Sequence, residues 1–288
     1  MGERAGRAGE AMSDGKVSVG AALSYAFSLW RTHWREIWGA LALNGVACTV
    51  VCAGLFADNL NILLAGGVGT LLTTYSVYGA VVRLAFAADH PDDPDFRLGA
   101  LGLQWRRMEL RLFGAHILLI IFLVVLGLLL AIVLAAPLMA MMMTRGGPLP
   151  TTFTQADLLR LIGPNGAAAL EAGVTLMQMI LLFVVIRLSL YLPASAESGR
   201  IAVLRTWKLT RGRFWQIFAA TLVLTLPTML IMSLGSGTAL SMDGQPARLA
   251  PGETFLYSLI CGGWAGAAAT PLTAAVQAYF YRNLRSTS

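Results

Sequence analysis

Apolar residues in this chain gather into long runs instead of alternating with polar ones. Six such runs cover roughly residues 37–56, 61–86, 113–140, 169–192, 215–236 and 256–281. The stretch Phe113–Met143 is 31 residues long and holds one ionisable side chain, His116. About 20 helical residues cross a hydrocarbon core of ~30 Å, so every run can form a membrane span. Transmembrane strands would show polar alternation, and these runs show none. The interval 57–60 is so short that the first two spans form a hairpin. Pro193 is expected to end the fourth span, and Pro227 and Pro271 to kink the fifth and sixth.

The polar intervals carry a pattern of their own. Ala21–Glu36, Asp95–Arg111 and Arg200–Gln216 are basic and aromatic, and each leads into an odd-numbered span. Sliding the first onto the third pairs Phe27 with Trp207, Arg31 with Arg211 and Trp34 with Phe214. Sliding the first onto the second pairs Trp30 with Trp105 and Arg31 with Arg106. The even-numbered spans also end alike, in VYGAVVR to Arg83, LLFVVIR to Arg187 and VQAYFYR to Arg282. The expectation is an all-α polytopic bundle of six transmembrane helices, built as three pseudo-repeats of an interfacial amphipathic helix plus a hairpin. An even number of spans per unit makes the repeats parallel, so the three surface helices share one face.

Composition agrees. The chain of 288 residues is 57% hydrophobic and 12% charged, with mean hydropathy +0.68. Soluble domains carry about twice that share of charge. The net charge of +6 is explained by topology: 18 of the 21 Lys and Arg fall on one side of the six spans, and only Arg145, Arg160 and Arg248 on the other. The positive-inside rule then places both termini in the cytoplasm. Cations beside spans point to anionic headgroups and not to nucleic acid. Residues 1–16 read as a disordered cytoplasmic tail without a signal-peptide core. Residues 17–288 read as a single membrane domain, and translation could start at Met1 or Met12. Thr154–Ile162, in an outer loop, reads as a short interfacial helix.

Candidate chemistry is sparse. Patterns of zinc hydrolases and of serine nucleophile elbows are absent, and no catalytic residue, metal site or cofactor is implied. Cys48, Cys52 and Cys261 lie in apolar spans as small packing residues. His90-Pro-Asp-Asp-Pro-Asp95 reads as a turn-rich acidic loop. His116, about one turn into the third span, is an intramembrane polar candidate, either bonded to a neighbouring helix or part of a proton path. Glu171 suits the N-terminus of the fourth span. Arg83, Arg187 and Arg282 form the central constellation: they either converge on a lipid phosphate or snorkel outward separately. Arg31, Arg106, Arg211, Trp34, Trp207 and Trp215 are the further headgroup candidates. Gly66, Gly67 and Gly69 in span two, and Gly262, Gly263 and Gly266 in span six, offer close helix packing.

Four segments carry a resemblance: Ser18–Phe27 followed by Trp34, Arg187-Leu-Ser-Leu-Tyr-Leu-Pro193, Leu204-Arg-Thr-Trp-Lys-Leu-Thr-Arg-Gly-Arg-Phe-Trp215 and Ala278-Tyr-Phe-Tyr-Arg-Asn-Leu284. Together they resemble the membrane domain fused to some bacterial glycerophosphoryl diester phosphodiesterases, and related stand-alone multi-pass proteins. The resemblance implies a six-span bundle. It brings no catalytic residue, because diesterase activity in the fused members belongs to a separate soluble barrel. Two functions are therefore carried forward. One is a non-catalytic membrane domain that binds lipid, another membrane protein or a soluble enzyme in envelope or phospholipid homeostasis. The other is a small transporter or permease subunit.

Overall fold

The computed structural model describes residues 17–144, 155–235 and 251–286. Nine α-helices are found among them: α1 Val19–Phe56, α2 Leu60–Phe86, α3 Arg107–Thr144, α4 Gln155–Leu188, α5 Tyr191–Ser198, α6 Thr206–Leu209, α7 Phe214–Gly235, α8 Pro251–Trp264 and α9 Thr270–Arg285. A π-helical turn, Ala265–Ala269, joins α8 to α9. Six stretches are long and apolar enough to cross a membrane: Trp38–Phe56, Leu60–Phe86, Ala100–Pro137, Gly166–Ser198, Phe214–Leu234 and Gly252–Arg285. The all-α bundle with six spans is thus as the hydropathy runs predict. The tail 1–16 and most of the loops around 144–168 and 237–255 lie outside the described residues.

The three basic stretches take three different forms. Ala21–Glu36 is helical but continuous with its span, so α1 runs 38 residues, or about 57 Å at 1.5 Å per residue. No proline interrupts it, and the Ser18 hydroxyl accepts a bond from the Ala21 N–H at its start. A rod of that length cannot lie flat at one end and cross at the other. Its first turns extend the span instead. Asp95–Arg111 is not one helix. It forms two single turns, Pro94–Phe96 and Ala100–Gly102, before α3 begins. Arg200–Gln216 contains only the four-residue α6 before α7. Glycines at 99 and 102 break the second stretch and Gly212 the third. Gly199 closes α5 in the left-handed conformation, with φ 67°, which costs least without a Cβ.

Pro193 does not end the fourth span. The chain breaks after Leu188, and Pro193 sits in the first turn of α5, where a missing N–H removes no helical bond. Gln155–Ile162 is helical, as expected, and is set off from the rest of α4 by a turn at Gly163, φ 68°.

α1 is the hub, packing on α2, α7, α8, the π turn and α9. Glycines set the spacing of its closest contacts. A Cβ on Gly262 would run into the backbone of Cys48 and Thr49, and one on Gly266 into that of Asn44 and Gly45. Gly66 approaches Val50 and Val51 in the same way. Gly263 and Gly67 have nothing within 4 Å, so only some of the expected glycines make the crossings. α3 is the peripheral element: between Leu118 and Pro137 most of its residues are exposed, with Leu119, Leu123 and Leu126 facing the core.

The π turn leaves carbonyls that the helix cannot satisfy, and α1 supplies their donors. The Thr270 N–H bonds Ala265 O in π fashion, so Gly266 O loses its usual partner. Asn44 Nδ2 donates to it at 3.0 Å. Pro271 has no N–H for Ala267 O, and Trp30 Nε1 donates there at 3.3 Å. Asn44 Oδ1 accepts from the Thr73 and Thr74 hydroxyls at 2.8 and 3.1 Å. This node pins α1, α2 and the last span together, and no buried polar atom of Asn44 goes unpaired.

Candidate functional site

The three arginines of the expected constellation have three different environments. Arg83 is fully buried on α2 and forks onto the equally buried Glu109 of α3, with Nη1 on Oε1 and Nη2 on Oε2 at 3.0 Å. Arg83 Nε donates to Asp95 O at 2.8 Å. Glu109 Oε2 also accepts the Arg106 N–H at 2.9 Å, capping the start of α3. The carboxylate fits because the neighbouring residue on α2 is Gly79, where a Cβ would meet Oε1. A fully buried bidentate pair with each guanidinium nitrogen bonded within the protein leaves Arg83 closed to a phosphate from outside. Arg83 therefore neither converges with the others nor snorkels.

Arg282, near the end of α9, donates to Ala85 O at 2.9 Å and to Asp89 Oδ1 at 2.8 Å. Arg285 joins it on Asp89 and also pairs with Glu197 of α5. Tyr25 lies nearby, its phenol pushed above its ordinary pKa by burial and held back by the Arg282 charge. Arg282 is thus neutralised within the protein as well.

Arg187 is not. Only 9% of it is exposed, and its Nε is buried without a partner. Among the described residues, no carboxylate pairs with it. Its guanidinium lies 4.9 Å from the Trp207 ring centroid and 6.0 Å from that of Phe183. The Thr210 hydroxyl donates to Arg187 O at 2.9 Å, holding the α6 segment against the end of α4. That segment brings Arg205, Lys208 and Arg211, all exposed, so the surroundings of Arg187 are cationic. An aromatic face stabilises a cation but takes up none of its N–H donors. What fits the arrangement chemically is an oxyanion with oxygens for the free donors.

The other candidates are spread over the same end. Arg31 is exposed on α1. Trp34 is exposed and carries Arg35 5.5 Å over its ring. Arg106 donates to Pro94 O at 3.2 Å. Trp215 is the most exposed of these tryptophans, at 74%. Only Trp207 and Arg211 belong to the surroundings of Arg187. His116 bonds a neighbouring element, its Nδ1 lying 2.5 Å from the Tyr191 hydroxyl, and packs on Tyr75 at 5.5 Å. The loop residue His90 stacks on Phe96 at 4.6 Å. Among the described residues, no three His, Cys, Asp or Glu side chains converge as metal ligands would.

Sequence reasoning missed Glu109 and Asn44. Asn44 had a visible signal, an amide inside an apolar run. Glu109 had a weaker one, a lone acid in Arg106-Arg107-Met108-Glu109-Leu110-Arg111. Comparison of the chain with family models, with curated proteins and with solved structures found no match.

Proposed function

We propose that this is a non-catalytic multi-pass protein of a bacterial inner membrane, with both termini cytoplasmic, that binds anionic phospholipid headgroups on its arginine-rich face. One observation carries the reading. Of the three arginines that end the even-numbered spans, Arg83 and Arg282 are neutralised internally, while Arg187 is buried beside Trp207 and Phe183 without a counter-charge among the described residues. Leaving donors of a buried cation unmatched is costly, and a hydrogen bond to a charged group contributes roughly 1.5–3 kcal/mol. A lipid phosphate at the interface supplies the missing acceptors. The cations of the α6 segment add long-range attraction of about 1 kcal/mol each near an anionic surface. The resemblance to diesterase-associated membrane domains is consistent with a role beside phospholipid metabolism, with a soluble enzyme or a second membrane protein as partner.

The test is purification in mild detergent followed by native mass spectrometry. The wild type is expected to retain an anionic phospholipid, and Arg187→Ala to lose it. Absence of retained anionic lipid, or equal retention in Arg187→Ala, removes the headgroup assignment.

A further inference from the structure

Two cations meet at the end of α4 without an anion. Residues 198–242 hold five basic side chains, Arg200, Arg205, Lys208, Arg211 and Arg213, and no Asp or Glu. Glu197, just before them, is engaged by Arg285. Arg213 donates to Gln216 Oε1 at 3.4 Å. Arg211 makes no hydrogen bond or ion pair among the described residues, and its charge is the one that acts on Arg187.

The backbone makes the two neighbours. Thr206 and Thr210 are fully buried. The Thr206 hydroxyl donates to Val203 O at 2.8 Å, and the Thr210 hydroxyl to Arg187 O at 2.9 Å. Arg211 is the next residue, and Gly212, at φ 80°, turns the chain into α7. The root of the Arg211 side chain is thereby fixed beside the end of α4. The open part of Arg187 is its Nη end. Nε is sealed in, whereas Nη1 and Nη2 are accessible and make no hydrogen bond among the described residues. Phe183 and Trp207 stand edge to face at 6.0 Å beside it, and neither ring takes up an N–H.

The charge count narrows the ligand. Like charges held close together disfavour each other, and a phosphodiester, with one negative charge, balances only one of the two. A phosphate monoester carries about −1.5 to −2 at pH 7 and presents three acceptor oxygens. Two guanidinium groups, each a planar fork of N–H donors, match that charge and that number of oxygens. We propose that Arg187 and Arg211 together bind a phosphate monoester dianion in preference to a phosphodiester. This rests on the assignment of Arg187 as the anion-binding cation and sharpens the class of anion it takes. A lipid of the phosphatidic acid class and a water-soluble phosphate monoester share the required chemistry.

The experiment is titration of the delipidated full chain, in mild detergent, with dioctanoyl phosphatidic acid and with dioctanoyl phosphatidylmethanol, read by native mass spectrometry. The two lipids differ by one methyl group, which removes one charge and one free oxygen. The wild type is expected to bind the monoester about tenfold more tightly. Arg211→Gln changes an exposed side chain, and it is expected to abolish the preference while still binding phosphatidylmethanol. Arg213→Gln removes the same charge from a side chain already engaged, and is expected to keep the preference. Competition by glycerol 3-phosphate separates the sources: displacement of phosphatidic acid at equimolar concentration assigns a soluble monoester, and no displacement assigns the lipid. Equal binding of the two lipids by the wild type, an unchanged preference in Arg211→Gln, or an equal loss in Arg213→Gln overturns the monoester assignment and leaves the anionic-headgroup reading standing. Binding of neither lipid removes both.

Discussion

Replacing Glu109 by alanine should be among the most damaging single changes in the bundle. The carboxylate is fully buried and accepts three bonds, two from the Arg83 guanidinium and one from the Arg106 N–H. Its removal leaves Arg83 with one bond, Nε to Asp95 O, and a buried charge without a counter-ion. Breaking a buried pair from one side costs about 3–5 kcal/mol. Loss of the cap at the start of α3 adds about 1 kcal/mol. For a protein of this size the shift in melting temperature is on the order of 10 °C. The double variant Arg83→Leu/Glu109→Leu removes both charges, and the pair's own net contribution is small once desolvation is counted. It should therefore be more stable than Glu109→Ala. Thermal unfolding in detergent, followed by size-exclusion fluorescence, measures both. A Glu109→Ala protein within about 1 kcal/mol of wild type, or a double variant less stable than the single, would refute the buried-pair argument.

Three further outcomes are expected. Gly262→Leu should destabilise strongly because its side chain meets the backbone of Cys48 and Thr49, while Gly263→Leu, with nothing within 4 Å, should melt near wild type. If the two behave alike in the same unfolding assay, the α1–α8 crossing is wrong. Asn44→Ala should lower stability by roughly 1–3 kcal/mol by stranding Gly266 O and the Thr74 hydroxyl, Thr73 keeping its bond to Gly69 O, and a neutral effect on melting would show that water or lipid replaces the amide. Reporter fusions at Gly147 and Gly244 should read as non-cytoplasmic, and a cytoplasmic signal at either reverses the proposed orientation.

Much of the architecture was legible because a bilayer imposes a length. A run such as 113–140 without charge has few alternatives to a span, and the short interval 57–60 forces a hairpin. The interfacial stretches were legible in composition but not in shape. All three share aromatics and cations, yet only the first lacks helix breakers, so only it is helical throughout, and it then has to continue its span. The fates of the arginines were not legible. Arg83, Arg187 and Arg282 stand at matching sequence positions, but what distinguishes them is a partner supplied by another element: Glu109 from α3, Asp89 from the loop after α2, and for Arg187 the Trp207 ring from α6. Those pairings depend on the register between helices, which hydropathy does not encode.

The claim that Arg187 is a buried cation left without a counter-charge meets its most direct test in charge selectivity. Delipidated protein is titrated with phosphatidylglycerol and with phosphatidylcholine, comparing wild type, Arg187→Ala and Arg35→Ala, the last removing an exposed cation away from the site. The account predicts a preference for phosphatidylglycerol in the wild type and in Arg35→Ala, and its reduction by about tenfold in Arg187→Ala, equivalent to about 1.4 kcal/mol. Equal reductions in Arg35→Ala and Arg187→Ala would contradict it, because general surface charge would then account for the whole effect.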